Sequence, residues 1–443
     1  MAEIPQYSLT RSARMVSIPA AHAGRRAVGA GKTMLGKDAD EAKLEAQMKT
    51  AAQLFRVMGT LKGGAMKFGQ VMSVFEASLP EELVKPYRES LSKLQDSAPP
   101  MSTANVYKQM KKNLGEDWRS RFIEFNEQPA AAASIGQVHK AIWNDGREVA
   151  VKIQYPGAAG ALIADLNQIS RLARLIGLTI PGLDVKALVI ELKERVVEEL
   201  DYIHESKSQK QFANAYEGHP DFLIPHVLSA APEVVVTEWV DSRPLLEVIN
   251  HGTQEERDKY GQLMLRFLLS GPKVAGLLHC DPHPGNFRIA PDGRMVVLDF
   301  GATAAFPNGL PDTMGTLLNI AMIGDDAGVV AGLREAGFIR PNIELNPASL
   351  LNYLAPFTEP TSAEVFKHSR AWLQDLFAKT ADPRNPDWSV AFKINLPPEY
   401  LMIHRTWMGS LGVLCQLESE FSVRDEFEKW VPGFSPKLIE HSS

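Results

Sequence analysis

Two short stretches limit what this chain can fold into more than any bulk property does. "QVHKAIWNDGREVAVKIQ" and "NFRIAPDGRMVVLDFG" each place apolar runs on either side of an Asp-Gly pair, Asp145-Gly146 and Asp292-Gly293. Asp-Gly between such runs is the turn chemistry of a β-hairpin. Each hairpin also delivers a charged residue. Lys152 is out of phase with Val151 and Ile153, so it faces the other side of its strand, and Asp299 follows directly on "VVL".

The chain between and around the hairpins reads mostly as helix. "DVKALVIELKERVVEELDYIHESKSQKQF" puts Val185, Leu188, Leu192, Val196, Leu200 and Ile203 on one apolar stripe, which predicts one long helix. "EVVVTEWV" (Glu233 to Val240) predicts a strand and "QEERDKYGQLMLRFLLS" a strong amphipathic helix. Residues from about 38 to 125 are helical in pattern, broken at Pro99-Pro100, with Ser102 or Thr103 as the next cap. The expected class is therefore α+β, with a small sheet-and-helix lobe followed by a mainly helical one. The expected division is an arm over 1–37, a helical extension over 38–125, a first lobe over 126–240 and a second over 241–443.

Composition excludes several classes. With 45% apolar and 23% charged residues the chain is an ordinary globular sequence, and a net charge of −6 gives no pull toward nucleic acid. Cys280 and Cys415 stand far apart, which argues against a disulfide framework or zinc site and for a reducing compartment. The most membrane-like run, Leu401 to Cys415, is interrupted by His404 and Arg405 and reads as an amphipathic core helix. The first residues carry Arg11, Arg14, Arg25, Arg26, Lys32 and Lys37 against Glu3 alone. That pattern fits a transit peptide, a membrane-surface arm or a solvated tail. "GAGKT" (Gly29 to Thr33) lacks the earlier glycine of a P-loop, where Arg26 stands, and lacks a preceding buried strand.

The charged residues occur in an order that phosphoryl transfer requires. That reaction needs a cation for the inner phosphates, a carboxylate to hold the cation, and oxygens to grip Mg²⁺. Lys152 supplies the first. "HCD" (His279 to Asp281) is followed five residues after Asp281 by Asn286, and Asp299 opens a literal D-F-G. Both carboxylates can converge on one cleft, and His279 and His283 are expected to orient loop backbone. The helix before "SKSQKQF" offers Glu198, Glu199, Asp201 and Glu205 as partners for Lys152, of which Glu198 reads as part of a solvated acidic face. Asp201 and Glu205 share a helix face, while Glu199 is turned from Asp201 by about half a circle.

These residues resemble the UbiB/AarF family of atypical kinase-like proteins, including its coenzyme Q-supporting members, from about residue 50 to at least 310. "KFGQ" (Lys67 to Gln70) matches the family's K-x-G-Q, "AAAS" (Ala131, Ala132, Ala133, Ser134) its alanine-rich loop, and "ELD" (Glu199 to Asp201) its E-x-D. The resemblance implies a two-lobed protein-kinase-like fold with the K-x-G-Q extension packed over the cleft. Lys67 and Gln70 would then meet Glu199 and Asp201 where a protein kinase receives its peptide. It also implies Glu205 as partner of Lys152, and ATP with Mg²⁺ as ligands. Alanines where kinases carry glycines restrict φ, so the loop should be stiff.

Three functions follow as expectations. The first is a Mg²⁺-dependent ATPase or small-molecule or lipid kinase supporting isoprenoid quinone biosynthesis. Lys152 would hold phosphates, Asn286 and Asp299 the metal, Asp281 the acceptor, and the backbone around Glu238 to Val240 the adenine. The second is a nucleotide-gated scaffold that organises partner enzymes or lipids. The third, a protein kinase acting in trans, is disfavoured because no A-P-E follows Asp299. The expected location is cytoplasmic or peripheral to a membrane in a bacterium, or the matrix side in a mitochondrion.

Overall fold

The computed structural model describes residues 100–133, 135–160, 200–381 and 393–435, with single positions between them at 163, 190, 197, 385, 389 and 390. The basic arm, the K-x-G-Q residues Lys67 and Gln70, Ser134 and Glu199 lie outside the described residues.

The chain runs through α1 (Thr103–Leu114), β1 (Phe122–Phe125), β2 (Ala131–Ala133), β3 (Gly136–Trp143) and β4 (Glu148–Gln154). After α2 (Tyr202–Ala215) come β5 (Phe222–Leu223), β6 (Val227–Ala231), β7 (Val234–Glu238) and β8 (Arg243–Pro244). Next are α3 (Leu245–His251), α4 (Gln254–Val274), β9 (Leu277–His279), β10 (Phe287–Ile289), β11 (Met295–Val297) and β12 (Thr303–Ala305). The remainder is α5 (Asp312–Met322), α6 (Asp326–Glu335), α7 (Pro347–Tyr353), α8 (Ala355–Ser362), β13 (Phe366–Lys367) and α9 (Arg370–Ala381). It closes with α10 (Pro398–Leu417), β14 (Glu420–Phe421) and α11 (Val423–Trp430).

The first lobe is one sheet in the order β1-β3-β4-β7-β6, with β2 added to β3. Its period-two pattern sorts side chains cleanly between two faces. Val149, Val151, Ile153, Val234 and Val236 pack on one face against Val106 and Met110 of α1 and against Trp118. Lys152 therefore points from the other face. Ser102 caps α1, its hydroxyl accepting from the Asn105 amide. So the last helix before the sheet covers the face away from Lys152, and the stretch expected to cover the cleft lies among residues outside the description.

The long helix expected through Ile203 does not run unbroken. Leu200 sits in a turn, Asp201 is extended, and α2 begins at Tyr202. Asp201 is the cap, its carboxylate accepting from the Ile203 amide at 2.9 Å. Leu200 leaves the expected stripe to pack with Tyr202 and Val235, and its carbonyl accepts from the Gln154 side chain at 3.1 Å.

The second lobe holds a sheet in the order β5-β11-β10-β8, with a separate β12-β9 pair. β5 follows α2 yet pairs with β11 of this sheet, so the two lobes are stitched on both sides of the linking segment after β7. α4 and α10 form the helical core, with Met264, Phe267, Leu268, Leu411 and Leu414 buried. α10 takes in the amphipathic run around His404 and Arg405, and no helix among the described residues is long and apolar enough to cross a membrane.

Candidate active site between the lobes

Lys152 is held by carboxylates from both lobes. Its Nζ lies 2.7 Å from Glu205 Oε1 and 3.1 Å from Asp299 Oδ2. Both spacings are those of charge-assisted hydrogen bonds. Glu205 stands in the first turn of α2, where a carboxylate is favoured by the helix dipole, and is 2% exposed. Burial opposes the charge on Lys152, yet Asp299 and Glu205 hold its pKa well above the ordinary lysine value. The ammonium also lies 5.0 Å from the ring centre of Tyr202.

A row of cross-strand partners sets the rest of the roof. Ala131 pairs with Val138, Val138 with Lys152, and Lys152 with Val235, so these side chains share one face. Ala132 falls in the neighbouring row, on the opposite face, beside Gln137. The alanine segment is a paired strand rather than an open loop. The glycine of this segment is Gly136, buried in β3, where a Cβ would lie 2.2 Å from the Ile153 carbonyl oxygen. Only glycine lets β4 approach there.

The floor is built by loops after β9 and β11. His279 is fully buried, and burial pushes its pKa down, so the neutral ring donates from Nε2 to the Asp299 carbonyl at 2.9 Å. His283 Nδ1 accepts from the Gly285 amide at 3.1 Å, and burial lowers its pKa as well. Each ring is thus bound to loop backbone. Asp299 adopts φ 58°, a left-handed conformation that Asp tolerates better than most residues. Its Oδ1 accepts from the Gly301 amide at 3.2 Å. Asn286 Nδ2 donates to the Asp281 carbonyl at 3.1 Å, which turns its Oδ1 away from that carbonyl. Behind this loop α10 passes so close that a Cβ on Gly409 would stand 2.6 Å from Pro282 Cγ.

A profile of the ABC1 atypical kinase-like domain matches residues 93–332, more than half of the chain. The chain belongs to the ABC1 atypical kinase-like family. The mitochondrial atypical kinase coq-8 of Caenorhabditis elegans is 30% identical over 71% of this chain and 42% of that protein. The mitochondrial atypical kinase COQ8B of Danio rerio is 27% identical over 87% of this chain and 62% of that protein. The chain thus spans less than two thirds of the length of these curated relatives. Among solved structures, Rv3197 of Mycobacterium tuberculosis in complex with erythromycin is 43% identical. It covers 90% of this chain, the chain covers 99% of it, and the TM-score is 0.66.

Within this ABC1 fold the Glu238 carbonyl, at the end of β7, accepts from the Thr237 hydroxyl at 3.4 Å. The amides of Glu238 and Trp239 donate to His226 and Glu148 carbonyls, whereas the Val240 amide has no partner among the described residues. The Glu238 carboxylate turns aside, accepting from the His226 amide at 3.0 Å. With Tyr216, Phe222 and Arg294, Glu238 and Val240 line a cavity of about 420 Å³ that none of Lys152, Asp281, Asn286 and Asp299 reaches. Asp201, capping α2 and exposed, does not join the Lys152 cluster.

The donor set fits a hard divalent cation presented with phosphates. Asn286 Oδ1 and the Asp299 carboxylate are oxygen donors on one loop system, and Mg²⁺ commonly takes only one or two protein oxygens beside substrate phosphates. No cluster of three or more His, Cys, Asp or Glu that could hold a metal alone exists among the described residues.

Proposed function

We propose that the chain binds MgATP between its lobes and acts as an ATPase or as a kinase of a small molecule or lipid. The observation that carries this reading is the grip of Glu205 and Asp299 on Lys152, at 2.7 and 3.1 Å, across the two lobes. In this reading Lys152 holds the inner phosphates and Glu205 fixes Lys152. The Glu238 carbonyl and Val240 amide receive the adenine edge. Asn286 and Asp299 would hold Mg²⁺, which neutralises charge on the outer phosphates. Asp281 orients a water or hydroxyl, and accepts its proton as that oxygen bonds to the terminal phosphorus. The bond from that phosphorus to the bridging oxygen breaks, and ADP leaves. Lys67, Gln70, Glu199 and Asp201 would close the peptide side of the cleft, in keeping with a small acceptor. The likeness to the coq-8 and COQ8B atypical kinases supports placing the reaction in isoprenoid quinone biosynthesis.

The test is MgATP hydrolysis by the wild type and Asp281→Asn, with and without anionic vesicles. Turnover should fall roughly 10²–10⁴-fold in the variant at unchanged melting temperature, and rise with lipid in the wild type. Nucleotide binding without turnover under every condition would replace the enzyme with a nucleotide-gated scaffold.

The likeness to Rv3197, solved with erythromycin, supports a second reading in which this chain accepts a macrolide-sized ligand. Calorimetric titration with erythromycin, with MgATP present or absent, decides it. Heat that saturates supports the reading, and a flat titration removes it.

A further inference from the structure

Strand β10 reads Phe287-Arg288-Ile289. Phe287 and Ile289, with Met295 and Val297 of β11, are buried in the second-lobe core. Alternation therefore turns Arg288 and its cross-strand partner Val296 to the opposite face. That face meets the end of the linking segment, because Arg288 Nε donates to Ser242 Oγ at 2.8 Å and Nη2 donates to the Ser242 carbonyl. Arg288 follows Asn286 by two residues, and Val296 precedes Asp299 by three, with Leu298 just past the end of β11. The side chain is thus bracketed by the linking segment on one side and the metal-binding positions on the other.

A guanidinium in this place asks for an explanation. It is half-buried, no carboxylate pairs with it among the described residues, and burial lowers its pKa. Holding an unpaired charge partly out of water costs stability, and an apolar residue would serve a strand equally well. The neighbouring Arg294, by contrast, is paired with Asp292 at 2.8 Å. Ser242 engages Nε and Nη2, the edge of the fork, which fixes the guanidinium plane and leaves its flat faces free of those bonds. Across the cleft β3 and β4 present Val138, Ala150 and Lys152 on one face, with Ala150 the smallest.

We propose that Arg288 is a specificity-determining residue of the nucleotide site. Its guanidinium plane is the floor on which the nucleobase stacks, under Val138 and Ala150, and it favours a purine over a pyrimidine. The inference rests on the nucleotide-binding reading above. Guanidinium planes stack on aromatic faces and on nucleobases, gaining most where water is excluded and the π-surface is large. Tethering to Ser242 couples that plane to the segment that would receive the base edge.

The experiment is calorimetry on the full chain with MgATP, MgUTP and magnesium tripolyphosphate, for the wild type, Arg288→Leu and Arg288→Lys. Arg288→Leu should weaken MgATP about tenfold, shrink the preference for MgATP over MgUTP, and leave tripolyphosphate within about twofold. Arg288→Lys, which keeps the charge and loses the plane, should behave like the leucine variant. Unchanged MgATP affinity in both variants overturns the inference, as does an equal loss for tripolyphosphate, which would make Arg288 a phosphate contact or a fold residue. A wild type that binds no nucleotide refutes the nucleotide-binding reading itself, and Arg288 with it.

Discussion

Lys152 and Arg266 are each gripped by two carboxylates, one nearly buried and one partly exposed. Glu205 and Asp299 have side chains 3% and 32% exposed, and Glu426 and Asp221 4% and 36%. Burial is matched, so the difference between the two sites is geometric. Arg266 spends its whole fork: Nε and Nη2 on Glu426, the latter at 2.7 Å, and Nη1 on Asp221 at 3.1 Å. Gln262 and Trp430 donate to the same Glu426 oxygens. α4, α11 and the approach to β5 are thereby locked together. Lys152 is a point charge with rotatable donors, and one of its two partners sits on a loop. A fork fixes three elements in one arrangement, whereas an ammonium can exchange a carboxylate for a phosphate without moving its stem. The first is a latch and the second a socket.

The largest expected effect tests that division directly. Glu426→Gln leaves Arg266 short of charge in a buried site and should cost about 3–5 kcal/mol in chemical denaturation, with MgATP affinity unchanged. Glu205→Gln should do the reverse, cutting turnover roughly a hundredfold through a misplaced Lys152 with the smaller loss of stability. Equal stability losses in the two variants, or a nucleotide effect from Glu426→Gln, would break the comparison.

A buried histidine whose one ring hydrogen bond among the described residues is to backbone sharpens it. His368 is fully buried, donates from Nδ1 to the Ser419 carbonyl at 3.0 Å, and has its pKa pushed down to about 4 by burial. Between that value and the ordinary one near 6.5 the unfolded chain takes a proton that the folded chain refuses. Stability is therefore full above about pH 6.5 and falls as pH drops toward 4, by up to about 3 kcal/mol. His368→Phe should flatten this slope between pH 7.5 and 5. A variant that melts with the wild-type pH dependence would assign the slope elsewhere.

The smallest effect concerns an aromatic neighbour of the socket. Tyr202 is fully buried, and its hydroxyl has no hydrogen-bond partner in the described structure. Tyr202→Phe should be neutral or slightly stabilising, because it removes an unpaired polar atom. Tyr202→Leu should cost about 0.5–2 kcal/mol by removing the ring that faces the ammonium. If the phenylalanine variant loses as much as the leucine one, the hydroxyl has a role that the ring does not.

Much of this arrangement is legible along the chain because its signals are local. Lys152 and Asp299 are announced by hairpins whose Asp-Gly turns and apolar runs fix strand phase within a few residues. Asp281 and Asn286 are tied by a short spacing that one loop can satisfy. The break at Leu200 is hidden because the apolar stripe continues across it, and Asp201 reads equally well inside a helix or as its cap. Only the pull of Tyr202 and Val235 on Leu200 decides between them, and that is tertiary packing. The Arg266 latch is invisible for a simpler reason: Glu426 is 160 residues away and no motif links the two. Arg288 sits in plain view in "NFRIA", yet its importance depends on which face of β10 is core, and a three-residue strand carries too little alternation to say.

The contact between α10 and Pro282 has a consequence for how this loop can evolve or be engineered. Every residue other than glycine at position 409 would push its first carbon into the proline ring, 2.6 Å from Cγ. Larger side chains there would not merely loosen a helix; they would shove the turn that carries Asp281. The space behind that carboxylate is one hydrogen atom deep, and a helix with no chemistry of its own sets the limit.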